Sequence, residues 1–378
     1  MKFLHTADWH IGRKLNGFSL LEEQRDIFFK MLDVAIEEEV DAIVVAGDLY
    51  DRSVPSVEAV ELLNEMMIEM NLVHHFPVLA ISGNHDSPTR LATATPWLKE
   101  KDFYLYTTLK QALTPVVIKD TQFFLLPYVE PVQGRLYFND ENLKTIPQVV
   151  ERVVSEMELQ FDAEKHHVLV GHFFAAGSSK TDSETPLEVG GLSSVPLGLF
   201  DAFDYVALGH LHYQDAIKHH DKVKYSGSLL KYSLSEKHHT KGCRLVDISG
   251  EKVNSHFIPL EPMRDVKVLS GEFAQLMDYE FYKHLDLNHY YHIVLKDKLS
   301  ISQALSELRN IYPNMISLER EKYFKEVSNS HEAWEEAKKK LSPKDLVTNY
   351  YEEVTETTLT SKQLSLLEEI IIEINKEK

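Results

Sequence analysis

The sequence predicts an α/β protein. It reads as a layered core of buried strands and helices, closed by a second sheet and followed by a small α+β domain and two carboxy-terminal helices. Two observations lead there. Five short apolar runs each end in a polar turn, and the first three are separated by segments of helical periodicity. The runs are Lys2-Phe3-Leu4, Ala42-Ile43-Val44-Val45, Val78-Leu79-Ala80-Ile81, Val168-Leu169-Val170 and Tyr205-Val206-Ala207-Leu208. Continuous apolar runs of this length fit strands buried on both faces.

Between the first three, Leu20 to Glu39 places Ile27, Phe28, Met31, Leu32, Val34 and Ala35 at helical spacing, and Val57 to Met70 does so with Val60, Leu63, Met66, Met67 and Met70. Strands alternating with helices give packed layers. From about Val223 the pattern turns to short strands and turns, read as the second sheet, so residues 1–260 form one domain. Pro259 and Pro262 punctuate the chain there. Residues 263–327 then read strand (Val266 to Leu269), helix (Glu272 to Met277), strand (Tyr290 to Leu295), helix (Ile301 to Ile311), strand (Met315 to Leu318), a small α+β domain. Residues 328–378 read as a charged tether and two helices. The first opens on Ser342-Pro343 with Asp345 in its first turn, a good start for a helix. The second, Ser361 to Ile374, lines up Leu364, Leu367, Ile370, Ile371 and Ile374. An apolar face so detached by charge suits docking on a partner protein, the alternative being that the helices fold back on the small domain.

Composition narrows the function. With 43% hydrophobic and 26% charged residues the chain is an ordinary globular protein, which excludes a disordered or collagenous one. The net charge of −19 argues against a protein that coats DNA unaided, because such binding needs clustered positive charge. A single cysteine, Cys243, excludes a disulfide framework and thiolate zinc sites. The 19 histidines leave imidazole and carboxylate as metal ligands. Without a long apolar stretch, the expectation is a cytoplasmic protein with no membrane partner.

The chemistry lies where histidines and acids fall. Asp8, His10, Asp48, Asn84, His172, His210 and His212 each stand just past the end of a buried run. The carboxyl ends of strands are where ligand sites assemble in α/β sheets. Asp8 and His10 are two residues apart, as are His210 and His212, so each pair projects to one side of an extended chain. Gly47, Gly83, Gly171 and Gly209 precede four of the candidates. Seven ligands exceed one tetrahedral ion and suit two ions sharing a carboxylate, an arrangement that clamps attacking and leaving oxygens during displacement at phosphorus. Two divalent ions against Asp8 and Asp48 leave local positive charge that attracts a phosphodiester despite the acidic surface. His85, beside a ligand, is placed to stabilise the transition state or protonate the leaving oxygen. Asp51, three residues after Asp48, is placed to orient His85. The pairs His219-His220 and His238-His239 lack the strand-end setting and are read as non-ligands, and Trp9 as packing.

Taken in order, Asp8-x-His10, Gly47-Asp48-x-x-Asp51, Gly83-Asn84-His85-Asp86, Gly171-His172 and Gly209-His210-x-His212 resemble the complete signature of the calcineurin-like metallophosphoesterases. The flanks HTADWHIGR, AISGNHDSPTRL and GS-x-x-KYSLSE are similar to those of the SbcD family, the nuclease subunits of bacterial SbcCD complexes. The resemblance implies a β-sandwich flanked by helices with a capping domain, and a manganese-dependent DNA nuclease. It implies two metal sites sharing Asp48, one completed by Asp8, His10 and His212, the other by Asn84, His172 and His210. It further implies ATP-dependent 3′→5′ exonuclease action on duplex ends and endonuclease action on single strands and hairpins. The implied partner is an SbcC-type coiled-coil ATPase, two of each subunit, with the carboxy-terminal helices on its coiled coil. The Val57–Met70 stripe by itself reads as core or as a helix packing on a partner; the resemblance implies a homodimer through helices near 57–70 and 90–100, with contacts from Met66, Met67, Met70, Leu91 and Trp97. Ser228-Leu229 and Tyr213-Gln214 depart from the family, where prolines are common, which bears on loop shape and not on any ligand.

Two rival functions share these residues. A small-molecule or protein phosphoesterase on the same core leaves the added carboxy-terminal segments without a role. An end-binding scaffold with a structural metal leaves His85 spare, whereas structural sites are saturated by protein ligands.

Overall fold

The computed structural model describes residues 1–178, 194–218, 220–250, 252–297, 301, 303–321, 342–355 and 358–376. It divides into two compact units, Met1–Lys267 with Asn288–Tyr290, and Val268–Leu287 with Tyr291–Lys378.

The first unit is built on two sheets. One has six strands in the spatial order Lys252–Pro259, Gly242–Ser249, Lys2–Thr6, Ala42–Val45, Val78–Ile81, Phe103–Tyr106. Its last four are parallel, with Phe3 opposite Ala42, Ile43 opposite Val78 and Val78 opposite Phe103, while Gly242–Ser249 pairs antiparallel to Lys2–Thr6. The other has five strands in the order Val223–Tyr225, Tyr205–Gly209, His166–His172, Thr121–Leu126, Val116–Ile118. The second sheet therefore starts well before Val223. The runs at 168–170 and 205–208 belong to it, and the strands after 240 return to the first sheet. An apolar run reports burial on both faces but not which sheet buries it.

Strand alternation sorts the core. Phe3, Val44, Leu79, Ile81, Phe123, Leu125, Val168, Val170 and Ala207 fill the space between the sheets. Their neighbours Phe124, Leu126, Leu169, Val206 and Leu208 face the other way, into a cluster with Val149, Val150, Val153, Val154 and Met157. Those five line one side of the helix Ile146–Glu158, which Thr145 and Gln148 start with a reciprocal capping box. On the first sheet the alternate residues Leu4, Ile43, Val45 and Ala80 are also buried. Its crossovers run through the helices Leu21–Glu37 and Val57–Met67, the latter continued by a π-helical turn, Ile68–Val73.

Burial takes Met66 and Met70 out of the expected self-contact. Met66 and Met70 are each 1% exposed, and Met66 shares a small interior cavity with Trp9, Ile27 and Phe28. In and just after these stretches, the large apolar side chains that reach solvent are Val57, Val60, Ile68, Leu72, Val73 and Trp97. Trp9 is interior as expected, donating its indole N–H to Thr6 Oγ1 at 2.9 Å.

The second unit holds most of a three-stranded sheet ordered Val266–Gly271, Tyr290–Leu295, Met315–Arg320, whose first two strands begin in the first unit. Its helix Ala304–Ile311 packs Leu308 with Leu276, Tyr291, Ile293, Tyr312 and Met315. The helices Pro343–Thr355 and Ser361–Lys376 follow. Ser342 caps the first, its hydroxyl accepting the Asp345 N–H at 3.2 Å. The two are tied by Lys344 to Glu368 and by Gln363 to Tyr351. Val347, Leu366, Ile370 and Ile374 remain exposed. The tether expected at 328–341, and His219, lie outside the described residues. No helix among the described residues is long and apolar enough to cross a membrane.

Candidate metal centre

The carboxyl ends of strands from both sheets meet at one place, and the backbone there is bent. Asp8, His10, Asp48 and His210 adopt left-handed φ values of 54°, 45°, 54° and 96°. Such conformations cost energy and persist where the surroundings over-determine them. Here the turns hold one another: the Asp8 N–H donates to Gly47 O at 3.0 Å and the His10 N–H to Asp48 O at 2.9 Å. Gly209 lets the strands close in, since a Cβ there would stand 2.0 Å from Ala46 O.

The seven candidate ligands converge. Asp8, His10 and His212 present donor atoms within 4.8 Å of one another, and so do Asp8, Asp48 and His172. Asp48 Oδ2 joins the groups, 3.5 Å from His10 Nε2 and 3.3 Å from His172 Nε2. Asn84 Oδ1 lies 2.9 Å from His172 Nε2 and 3.0 Å from His210 Nδ1. Asp8, His10, Asp48, His172, His210 and His212 are all buried. The His210 N–H donates to the Asp8 carboxylate at 2.9 Å, and the His172 Nδ1–H to Ala46 O at 2.8 Å, which turns Nε2 toward the centre.

His85 stands at the rim. Its ring meets that of His10 edge to face at 4.7 Å, and its backbone N–H donates to Asp48 Oδ1 at 2.9 Å. Asp51 orients the ring differently from the expectation: the Asp51 backbone carbonyl, not the carboxylate, accepts the His85 Nδ1–H at 2.9 Å. The Asp51 carboxylate instead receives Arg13 at 2.8 Å and lies 3.8 Å from His10 Nδ1. Arg52, 3.6 Å from Asp51, is largely exposed.

Electrostatics follow from crowding charges in a dry place. Burial pushes Asp8 up to about 6, against the pull of His172 and His212. Burial would raise Asp48 too, but His172 and His10 beside it hold its carboxyl far below the usual range. Conversely, burial would lower His172, and the Asp48 carboxylate overrides it, raising His172 to about 9. His210 falls to about 3 because it is buried next to other imidazoles.

This donor set fits divalent cations. It offers only oxygen and imidazole nitrogen, and His10 Nε2 faces His212 Nε2 at 3.1 Å, an approach that needs a proton or a cation to relieve two opposed lone pairs. Two carboxylates and four imidazoles bring two negative charges and no obligatory positive one, so a bound pair of such ions would leave the centre net positive.

Comparison with known proteins agrees. The family model described as calcineurin-like phosphoesterase matches residues 1–214, and that described as type 5 capsule protein repressor C-terminal domain matches residues 262–355. The chain is 36% identical, over 380 aligned positions covering 100% of it and 99% of the relative, to the SbcD subunit of the nuclease SbcCD of Staphylococcus saprophyticus. The chain belongs to the SbcD family of calcineurin-like phosphoesterases. A crystal structure of TT1561 of Thermus thermophilus is 15% identical, covering 68% of this chain and 98% of that one with a TM-score of 0.38.

Around the SbcD-family centre stand residues for which no role was read from the sequence. Asp86 accepts the N–H groups of Gly83 at 2.9 Å, Leu49 at 3.1 Å and Tyr50 at 2.9 Å, fastening the Asp48 and Asn84 turns together. Gln24 donates to Trp9 O at 3.1 Å and His10 O at 2.8 Å, and Tyr232 donates to Trp9 O at 2.5 Å. Glu236 lies against His212, with Oε1 3.3 Å from Nδ1. The signal for the last two was present, since both fall in the KYSLSE stretch that resembles the family, although nothing in its spacing points at His212.

Proposed function

We propose that the chain is the nuclease subunit of an SbcCD-type complex, a two-metal phosphodiester hydrolase acting on DNA. The observation that carries this reading is Asp48 Oδ2 standing between His10 and His172, where the two ligand groups meet. Asp8, His10 and His212 would hold one ion and Asn84, His172 and His210 the other, with Asp48 shared and manganese as the native metal. When bound, the two ions supply a clamp on the attacking and leaving oxygens of an in-line displacement and offset charge on the phosphate.

The chain's own residues do the rest. His85, with Nδ1 engaged by Asp51 O, delivers a proton to the departing sugar oxygen or stabilises charge there. Asp51 acts through its carbonyl on His85 and through its carboxylate as the anchor of Arg13. Full-length similarity to an SbcCD subunit supports an SbcC-type ATPase as partner. The complex would hold two of each subunit, with the ATPase engaged through the exposed apolar residues of 343–376. The activities would be ATP-dependent 3′→5′ degradation of duplex ends and cutting of single strands and hairpins, in the cytoplasm. The homodimer would form through the exposed Val57, Ile68, Leu72 and Trp97.

The test is cleavage of a labelled linear duplex and a hairpin in manganese, by wild type and Asp48→Ala, with and without the ATPase. Cutting that is absent in the variant, and ATP-dependent on duplex ends with the partner, supports the reading. Hydrolysis of small phosphodiesters with no attack on DNA in any arm would replace it with a small-molecule phosphoesterase.

A further inference from the structure

The imidazoles of the centre are not backed alike. His172 turns its outer nitrogen to a neutral group, the Ala46 carbonyl, at 2.8 Å. His212 points Nε2 at His10 and turns Nδ1 to the Glu236 carboxylate at 3.3 Å. Glu236 is fully buried and is itself braced: Oε1 accepts the Tyr232 N–H at 3.3 Å, and Oε2 pairs with Lys241, which is 4% exposed. Lys241 in turn donates to His212 O at 2.7 Å and to Ser228 Oγ at 2.8 Å. One buried ion pair thus grips His212 at both ring and backbone. Burying two charges is costly and is weak evidence for stability, so an ion pair aimed at one ligand suggests a role in the site. A carboxylate behind an imidazole fixes its tautomer and makes it a stronger donor than a carbonyl does.

We infer that Glu236 and Lys241 are positioning residues that set the affinity of one metal site, the one built on Asp8, His10 and His212, and leave the other largely unaffected. The pair makes the two sites unequal: one is backed by a charged carboxylate, the other by a peptide carbonyl. The inference rests on the ligand assignment proposed above but not on DNA being the substrate.

The experiment is a manganese titration of the metal-free full-length chain by calorimetry and by the electron paramagnetic resonance signal of free manganese. It compares wild type, Glu236→Gln and the double variant Glu236→Gln/Lys241→Met, without nucleic acid. The double variant removes both charges, so it covers the case in which Glu236→Gln alone strands Lys241 and fails to fold. The expected result is two bound ions in each folded protein, one weakened by about 10–100-fold in the variants and the other within about threefold of wild type. In cleavage or phosphodiester assays, excess manganese then restores kcat, which a merely damaged fold does not permit. Equal weakening of both ions, or unchanged affinity for both, overturns the inference. Absence of DNA cleavage alongside the expected unequal titration would remove the nuclease reading and leave this one standing.

Discussion

Gly83 lies directly against the carboxylate of Asp48: a Cβ at residue 83 would stand 2.1 Å from Asp48 Oδ1. Asp48 Oδ2 lies 3.5 Å from His10 Nε2 and 3.3 Å from His172 Nε2, so its position bears on both. Gly83→Ala cannot be accommodated by a flexible side-chain end, because the Asp48 backbone nitrogen is also 2.4 Å from the added atom. We expect a modest loss of stability, about 1–3 kcal/mol, as for other overpacked sites. The loss of hydrolysis should be much larger, about a hundredfold or more, since a displacement near 1 Å is enough for that. Thermal melts of the metal-free variant beside its rate in saturating manganese separate the two. A rate within a few-fold of wild type would mean that Asp48 is not held by this contact.

Asp48 and His85 should fail in different ways. Asp48→Ala removes the shared oxygen and is expected to abolish stoichiometric manganese binding and hydrolysis together. His85 meets the ligands through its ring, edge to face with His10, and through its backbone N–H. His85→Gln should therefore keep both ions and lose about 10²–10⁴-fold in rate, the usual worth of a positioned acid or base. Metal titration run beside turnover decides it, and a His85→Gln protein with near-normal rate would remove that residue from the chemistry.

Much of this centre was legible because each ligand follows an apolar run directly, so strand ends and chemistry coincide in the sequence. What was illegible depends on tertiary closure or on backbone. Glu236 reaches His212 from 24 residues away, and Asp51 holds His85 by a carbonyl that every residue possesses. The elements between residues 100 and 160 also went unread. Thr121–Leu126 opens on polar Thr and Gln yet is buried throughout. The buried face of Ile146–Glu158 is mostly valine, a β-branched residue that favours strands, and its capping box and the sheet beneath decide for helix.

The methionine stripe shows the same limit and gives a third prediction. Periodicity marks Met66 and Met70 as one face but does not say whether that face meets the chain's own core or another chain. Met66 is interior, so Met66→Ala should lower stability by about 2–5 kcal/mol through the cavity it leaves. Trp97, 73% exposed, has no such role in its own chain. Trp97→Glu should leave the fold intact and shift sedimentation toward the monomer. An unchanged mass distribution for Trp97→Glu would take residue 97 out of the self-contact.

Cys243 provides a probe of the fold independent of metal. It lies in the strand Gly242–Ser249, fully buried, and burial pushes its thiol up to about 12. Thiolate, not thiol, is the nucleophile, so the native protein at pH 8 should resist a disulfide reagent over hours, and one thiol per chain should react on denaturation. Rapid titration of the native protein would show that the strand opens easily.

Acid should unfold the metal-free protein partly through His5. Its ring is fully buried, with Nε2–H donating to Leu208 O at 3.2 Å and Nδ1 3.1 Å from the Tyr205 hydroxyl. Burial, helped by Arg244, lowers its pKa from 6.5 to about 3. The unfolded chain therefore binds a proton below pH 6.5 that the folded chain refuses until about pH 3. Stability from this group is complete above pH 6.5 and is lost as pH falls through that window, by about 1.4 kcal/mol per pH unit. Urea denaturation of metal-free wild type and His5→Gln at pH 7.5 and pH 5 isolates the effect, since the other histidines contribute equally to both proteins. The wild type should lose about 2 kcal/mol more than the variant between those pH values. Parallel losses would mean that His5 is protonated in the folded chain at pH 5, and that its pocket opens to water.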